Sequence, residues 1–104
     1  MSKSPLPATY SRIMGQYPAL AQAIEGLGKT VKDAGPIDAK NAQLIQLAAA
    51  ASIRSEGAVH SHVRRAHEAG ASMEEIRHAV ILLTSPLGLP AVMAALSWID
   101  DTDS

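Results

Sequence analysis

Four histidines are the first candidates for chemistry, and they lie within one short part of the chain: His60, His62, His67 and His78. Two histidines of one helix can coordinate the same metal ion only if they lie on the same face. Residues two or five positions apart do not lie on the same face. His60 and His62 are two apart, and His62 and His67 are five apart. The spacing therefore favours exposed or interface histidines, and we expect neither a metal nor any other cofactor.

The surroundings of His62 are more suggestive than its spacing to other histidines. Ser55, Ala58, Val59 and His62 fall at i, i+3, i+4 and i+7, so they line one side of a helix. Small side chains leave room beside the ring, and a histidine that faces a cavity can transfer protons near neutral pH. An alternative of equal weight is a buried histidine that is satisfied by a backbone carbonyl or by Gln43.

A second set of polar residues lies on the adjacent side of the same helix. Glu56, His60 and Arg64 fall at i, i+4 and i+8. Glu56 would accept a hydrogen bond from His60 and favour the charged form of its ring. The alternative, which the spacing favours, is an ordinary surface pair worth a few tenths of a kcal/mol (about 0.2–0.5).

The segment that holds these residues resembles the carboxymuconolactone decarboxylase family, which includes alkylhydroperoxidase D-like proteins. The resemblance is carried by the segments 43–71, 73–77 and 87–91, and it covers about residues 36–99. It implies an all-α, alkylhydroperoxidase D-like fold. It also implies an obligate homo-oligomer, often a trimer or a hexamer.

The peroxidase-like branch of that family uses an upstream glutamate, a Cys-x-x-Cys pair and a histidine four residues past the second cysteine. In this chain the glutamate position holds Gln43, and the cysteine positions hold Ser55 and Ala58. Only the histidine is kept, as His62. A hydroxyl does not cycle through a disulfide, so the resemblance excludes peroxide reduction by the family mechanism.

The decarboxylase branch of the family works on a small unsaturated lactone acid, without the cysteine pair and without a cofactor. This chemistry needs a proton donor for the developing carbanion and a cation that holds the substrate carboxylate. His62 is the candidate acid/base, with His60 as a second, and a guanidinium group can bind a carboxylate through two hydrogen bonds. Each arginine is, as an alternative, a solvated surface charge. The candidate catalytic residues are His62, His60 and Glu56, and the candidate substrate-binding residues are Arg54, Arg64, Arg65, Gln43 and Ser55. A catalytically silent ligand-binding or scaffold protein is the alternative function.

Composition narrows the class of protein. The chain has 104 residues, a formal net charge of -1, 18% charged residues and no cysteine. Near-neutral charge argues against nucleic-acid binding, and no apolar run reaches the roughly 18 residues of a membrane span. The first residues contain no apolar segment typical of a secretory signal. These features favour a cytoplasmic protein whose partners are a small carboxylated molecule and other copies of itself.

The spacing of apolar residues predicts the elements that must position the candidate site. It predicts about six helices, close to residues 8–16, 18–34, 38–55, 58–69, 72–84 and 89–100. In the second helix, one buried stripe is predicted from Leu20, Ala23, Ile24, Leu27 and Val31. Ser72 and Glu75 form a capping-box pattern, and Gly70 suits the position after a helix end. We expect a single all-α domain over residues 1–104, with residues 1–7 and 101–104 loosely ordered. The helix near 38–55 is expected at its centre.

Few aromatic residues are available to build a core. They make up 3% of the chain, and phenylalanine is absent. A small chain with this composition has a thin core, so apolar helix faces are expected to be buried between subunits. Tyr10, Tyr17 and Trp98 are the candidate interface anchors, with burial in the chain's own core as the alternative.

Overall fold

The computed structural model describes the chain from Ala8 to Asp103. Every regular element in this range is helical, which confirms the all-α prediction. The elements are α1 (Ala8–Gln16), α2 (Pro18–Lys32), α3 (Ala39–Ser52), α4 (Glu56–Glu68), α5 (Met73–Ile81), α6 (Thr84–Leu87) and α7 (Leu89–Asp103). None of these helices is both long and apolar enough to cross a membrane.

The helices α3 to α7 form one compact unit. In it α3 packs against α4, α5 and α7, and α7 also contacts α4, α5 and α6. The core therefore lies between α3, α4, α5 and α7, and α7 shares the central position that was predicted for α3. Its fully buried large side chains are Leu47, Val59, Val63, Ile76, Val80 and Ile99. Alanines such as Ala50, Ala51 and Ala66 fill the space between them.

Local signals fix both ends of the segment that joins α4 to α5. Gly70 has φ +100°, its N–H donates to the carbonyl of His67, and the N–H of Ala71 donates to the carbonyl of Ala66. These two bonds satisfy carbonyl groups in the last turn of α4 that would otherwise lack a donor. The positive φ that this helix end requires favours glycine. Ser72 and Glu75 then form the predicted capping box at the start of α5, with hydrogen bonds of 2.9 and 3.0 Å.

The chain end differs from the prediction. Residues 101–103 were expected to be loosely ordered, and they form the last turn of α7. Thr102 is buried, and its hydroxyl donates a 2.7 Å hydrogen bond to the carbonyl of Ile99. The burial of Thr102 and its hydrogen bond stabilise this turn, although Asp101 is exposed. Residues 1–7 and 104, also predicted to be loosely ordered, lie outside the described residues.

The helices α1 and α2 form a separate compact unit. The predicted apolar stripe of α2 is not buried in it, because Leu20, Ile24, Leu27 and Val31 are all exposed. A unit of two helices has too little surface to enclose such a stripe. The sequence pattern was therefore correct about the helix, and the stripe that it marks is not buried within this unit.

Candidate functional site

The contact between His62 and Gln43 is the centre of the candidate site. Gln43 is 3% exposed on α3, and His62 is half-buried on α4. The Nδ1 atom of His62 lies 2.9 Å from Oε1 of Gln43. Because an amide oxygen only accepts, the ring donates from Nδ1, and the basic lone pair of the neutral ring lies on Nε2. Packing of α3 against α4 thus fixes both the orientation and the tautomer of the histidine.

This contact is one of the two alternatives that the sequence left open for His62. A structural histidine would make it, and so would a catalytic histidine, whose second nitrogen is commonly held by an acceptor. A glutamate at position 43 would add a negative charge beside the ring. The neutral Gln43 leaves the ring without that charge.

The turn from α3 to α4 carries Arg54 and Ser55. Arg54 has φ +56°, a left-handed conformation that is usually occupied by glycine after a helix end. The N–H of Arg54 donates to the carbonyl of Ala51, and the N–H of Ser55 donates to the carbonyl of Ala50. A side chain in this conformation costs about 1–2 kcal/mol relative to the right-handed region. Ser55 is the N-cap residue of α4, although its side chain makes no capping hydrogen bond.

The predicted carboxylate-binding arginines lie on different sides of the site. Arg65 is three residues after His62 on α4, so the two share a helix face. Arg64 is four residues after His60 and lies on the adjacent side. Arg54 and Arg65 are exposed, whereas Arg64 is half-buried. The structure therefore places Arg65 on the same face of α4 as His62 and puts Arg54 in the turn before Ser55.

Glu56 and His60 do not form the hydrogen bond that their spacing suggested. The Nε2 atom of His60 lies 3.9 Å from Oε2 of Glu56, beyond hydrogen-bond distance. The His60 side chain is only 18% exposed, so the pair is not an ordinary surface pair either. Its Nε2 atom is buried without a hydrogen-bond partner in the part of the chain that the structure describes.

One residue near His60 was missed by the sequence analysis. Asp101, on α7, brings a carboxylate oxygen within 4.8 Å of the corresponding ligand atoms of Glu56 and His60. No local pattern links α7 to α4, since only the packing of these two helices brings the residues together. The sequence alone therefore gives no indication that Asp101 lies near Glu56 and His60.

The fold and the retained histidine agree with the match to known proteins. Residues 18–101 match the carboxymuconolactone decarboxylase family, and the chain belongs to that family. The match begins at the first residue of α2, earlier than the resemblance indicated.

A relative in Haemophilus influenzae, described as an uncharacterized protein, is 34% identical over 58 residues. The alignment covers 56% of this chain and 51% of that protein. The chain therefore spans about half the length of the curated relative it matches.

Proposed function

We propose that the chain is a cofactor-free decarboxylase or lactone-processing enzyme that acts on a small carboxylated substrate. The observation that carries this proposal is the 2.9 Å contact between His62 and Gln43. It holds a half-buried imidazole in one tautomer, with Nε2 as the proton-transferring atom. Membership of the carboxymuconolactone decarboxylase family supports the class of substrate.

In the proposed reaction the bond between the substrate carbon and its carboxylate breaks and releases CO2. The electron pair stays on the substrate carbon and is delocalised into the conjugated carbonyl of the lactone. The imidazolium form of His62 then donates its Nε2 proton to that carbon and becomes neutral. Gln43 keeps its hydrogen bond throughout and takes no proton, because an amide has no titratable group in this range.

The arginines have the complementary task of binding a carboxylate. A bidentate guanidinium contact would orient an acidic substrate and stabilise charge that stays on it during the reaction. Arg65 is the first candidate because it shares a helix face with His62, and Arg54 is the second. The strained conformation of Arg54 supports a functional reason for a side chain at that position.

A screen of unsaturated lactone acids tests the proposal. Release of CO2 and loss of the conjugated chromophore are measured for the wild type, His62→Ala and His67→Ala. His67 is the matched control, since it is an exposed histidine on the same helix whose Nδ1 lies 3.2 Å from the carbonyl of Ala71. We expect His62→Ala to lose at least about 100-fold in rate, the usual scale of general acid catalysis. Equal rates for His62→Ala and the wild type would contradict the proposal.

The second candidate function is a silent member of the family that binds a ligand or serves as a scaffold. The same contact favours it, because Gln43 replaces a glutamate and makes a bond typical of a structural histidine. Saturable binding of a lactone acid in calorimetry, without turnover by the wild type, would favour this alternative over the enzyme.

We also propose that the chain acts as a homo-oligomer, with a trimer or a hexamer as the expected form. The support is the exposed apolar stripe of α2, formed by Leu20, Ile24, Leu27 and Val31. A cytoplasmic location belongs to the same proposal and is supported by the absence of cysteine from the chain.

A further inference from the structure

His60 has an unusual environment that the proposed reaction does not explain. Its Nε2 atom is buried, with less than 1 Å² exposed and no hydrogen-bond partner among the described residues. A buried polar atom left in this state costs about 1–3 kcal/mol and calls for a specific reason. Glu56 and Asp101 each bring a carboxylate oxygen within 4.8 Å of a ring nitrogen of His60 and of each other, and Oε2 of Glu56 lies 3.9 Å from Nε2.

We propose that Glu56, His60 and Asp101 form a binding site for a divalent transition-metal ion of the Zn²⁺ class. One imidazole nitrogen and two carboxylate oxygens are ligands that such ions accept, and water would complete the coordination. The histidine distinguishes this set from a cluster of acidic residues, because a buried imidazole nitrogen favours a transition metal over Mg²⁺ or Ca²⁺.

The ligand atoms are farther apart than in an occupied zinc site, so small side-chain movements would accompany binding of an ion. Zinc ligands at about 2.0–2.2 Å from the ion lie roughly 3.3–3.6 Å from one another in a tetrahedral arrangement. The observed separation of Nε2 of His60 from Oε2 of Glu56 is 3.9 Å. The Glu56 side chain is 54% exposed, so a small rotation would bring its carboxylate to that separation.

The spacing that disfavours a metal ion between two histidines does not bear on this set, which contains one histidine. His60 is the single histidine of the set, and His62 lies on another face of α4 with its Nδ1 bonded to Gln43. The third ligand comes from α7, which the spacing of residues along α4 does not reveal. The proposed metal site is therefore separate from the His62 site.

Calorimetric titration of the untagged, chelator-treated chain with Zn²⁺ tests this inference. We expect one ion per chain, and at least a tenfold loss of affinity in Glu56→Gln, His60→Gln and Asp101→Asn. Glu56→Gln and Asp101→Asn change exposed side chains, so a loss of affinity in these variants is not a loss of folding; circular dichroism checks that their helix content is unchanged. Co²⁺ titration should give visible absorption bands in the wild type and not in His60→Gln.

The controls are Asp100→Asn and His78→Gln, which remove an adjacent exposed carboxylate and an exposed histidine outside the set. Their Zn²⁺ affinity should stay within twofold of the wild type, and so should that of His62→Ala. Because His62→Ala keeps the metal set, failure of the metal site and failure of the proposed reaction are distinguishable. Absence of stoichiometric Zn²⁺ binding, or equal affinity in His60→Gln and the wild type, would overturn the inference.

Discussion

At the scale of single residues, the contact between His62 and Gln43 determines the electrostatic environment of the candidate catalytic imidazole. A carboxylate beside the ring would stabilise imidazolium, whereas an amide stabilises neither protonation state through charge. The 2.9 Å contact therefore orients the ring without adding a negative charge that would favour imidazolium. This difference is open to a direct test.

Replacing Gln43 by glutamate should raise the pKa of His62, because the new carboxylate would lie at the Nδ1 atom. Gln43→Met removes the hydrogen bond without adding charge and serves as the matched variant. An NMR titration of the ring protons measures both. The same pKa in the two variants would show that residue 43 does not contact His62 in solution.

Arg54 has an unfavourable backbone conformation and a side chain that is a candidate for binding the substrate carboxylate. Its φ of +56° suits glycine, so Arg54→Gly should raise the free energy of unfolding by about 1 kcal/mol. Arg54→Ala keeps a Cβ in the same conformation and should not gain stability. Urea denaturation measures the two variants. If Arg54 binds the substrate carboxylate, both variants should weaken that binding equally, and a gain in Arg54→Ala would show that strain is not the cause.

At the scale of elements, small side chains bring α3 close to its neighbours. Ala50 and Ala51 are buried on α3, and Ala66 is buried on α4. Such residues let helix axes approach closely, and this closeness positions Gln43 against His62. The geometry of the site therefore depends on the volume of residues that carry no chemistry.

A larger side chain in this interface should cost stability. Ala51→Leu is expected to lower the free energy of unfolding by about 1–3 kcal/mol, because the added atoms have no space. Ala49→Leu is the control, since Ala49 is exposed on the same helix and should change stability by less than about 0.5 kcal/mol. Denaturant titrations compare them, and equal losses in the two variants would argue against close packing at Ala51.

The capping box of α5 makes part of the stability depend on pH. The N–H of Ser72 donates to the Glu75 carboxylate, and this bond, followed by the contact with Lys40, lowers the pKa of that group below its ordinary value of 4.5. The unfolded chain therefore binds the proton first as the pH falls. The stabilisation is complete above the ordinary value and is lost as the pH falls through the lowered one.

As the pH falls through that range, the free energy of unfolding should therefore decrease less in Glu75→Gln than in the wild type. The free energy of unfolding is measured against pH for the wild type, Glu75→Gln and Glu74→Gln. Glu74 lies in the same turn of α5 and does not belong to the capping box. An unchanged slope in Glu75→Gln would show that the capping box does not contribute.

At the scale of the whole molecule, the exposed stripe of α2 is the main feature without a partner in its own unit. None of the described residues of α1 and α2 is buried, although Leu27 and its neighbours are apolar. Full burial of a leucine or isoleucine side chain yields about 1.5–3 kcal/mol. Several such residues on one face are a plausible driving force for association between copies.

Leu27→Glu should therefore reduce the molar mass measured by light scattering at micromolar concentration. Gln22→Glu adds the same charge on the opposite face of α2 and should leave the mass unchanged. A wild-type mass of 10.9 kDa, that of one chain, at that concentration would refute the oligomer.

Local signals in the sequence determined most of the elements. Apolar residues at three- and four-residue spacing predicted the long helices to within a few residues, because a helix is closed by bonds between residues close in sequence. The capping box at Ser72 and the left-handed Gly70 are equally local. The resemblance also assigned the family correctly, since it rested on motifs that are read directly along the chain.

Only the tertiary structure decided which side chains meet. The Gln43 contact was part of one of the two alternatives that the sequence left open for His62. No sequence pattern connected Asp101 with His60, because contacts between helices depend on packing rather than on spacing. The same reason applies to the stripe of α2, which is helical in pattern and is not buried within its own unit. Sequence determined which faces are apolar, and packing decided which of them found a partner within the chain.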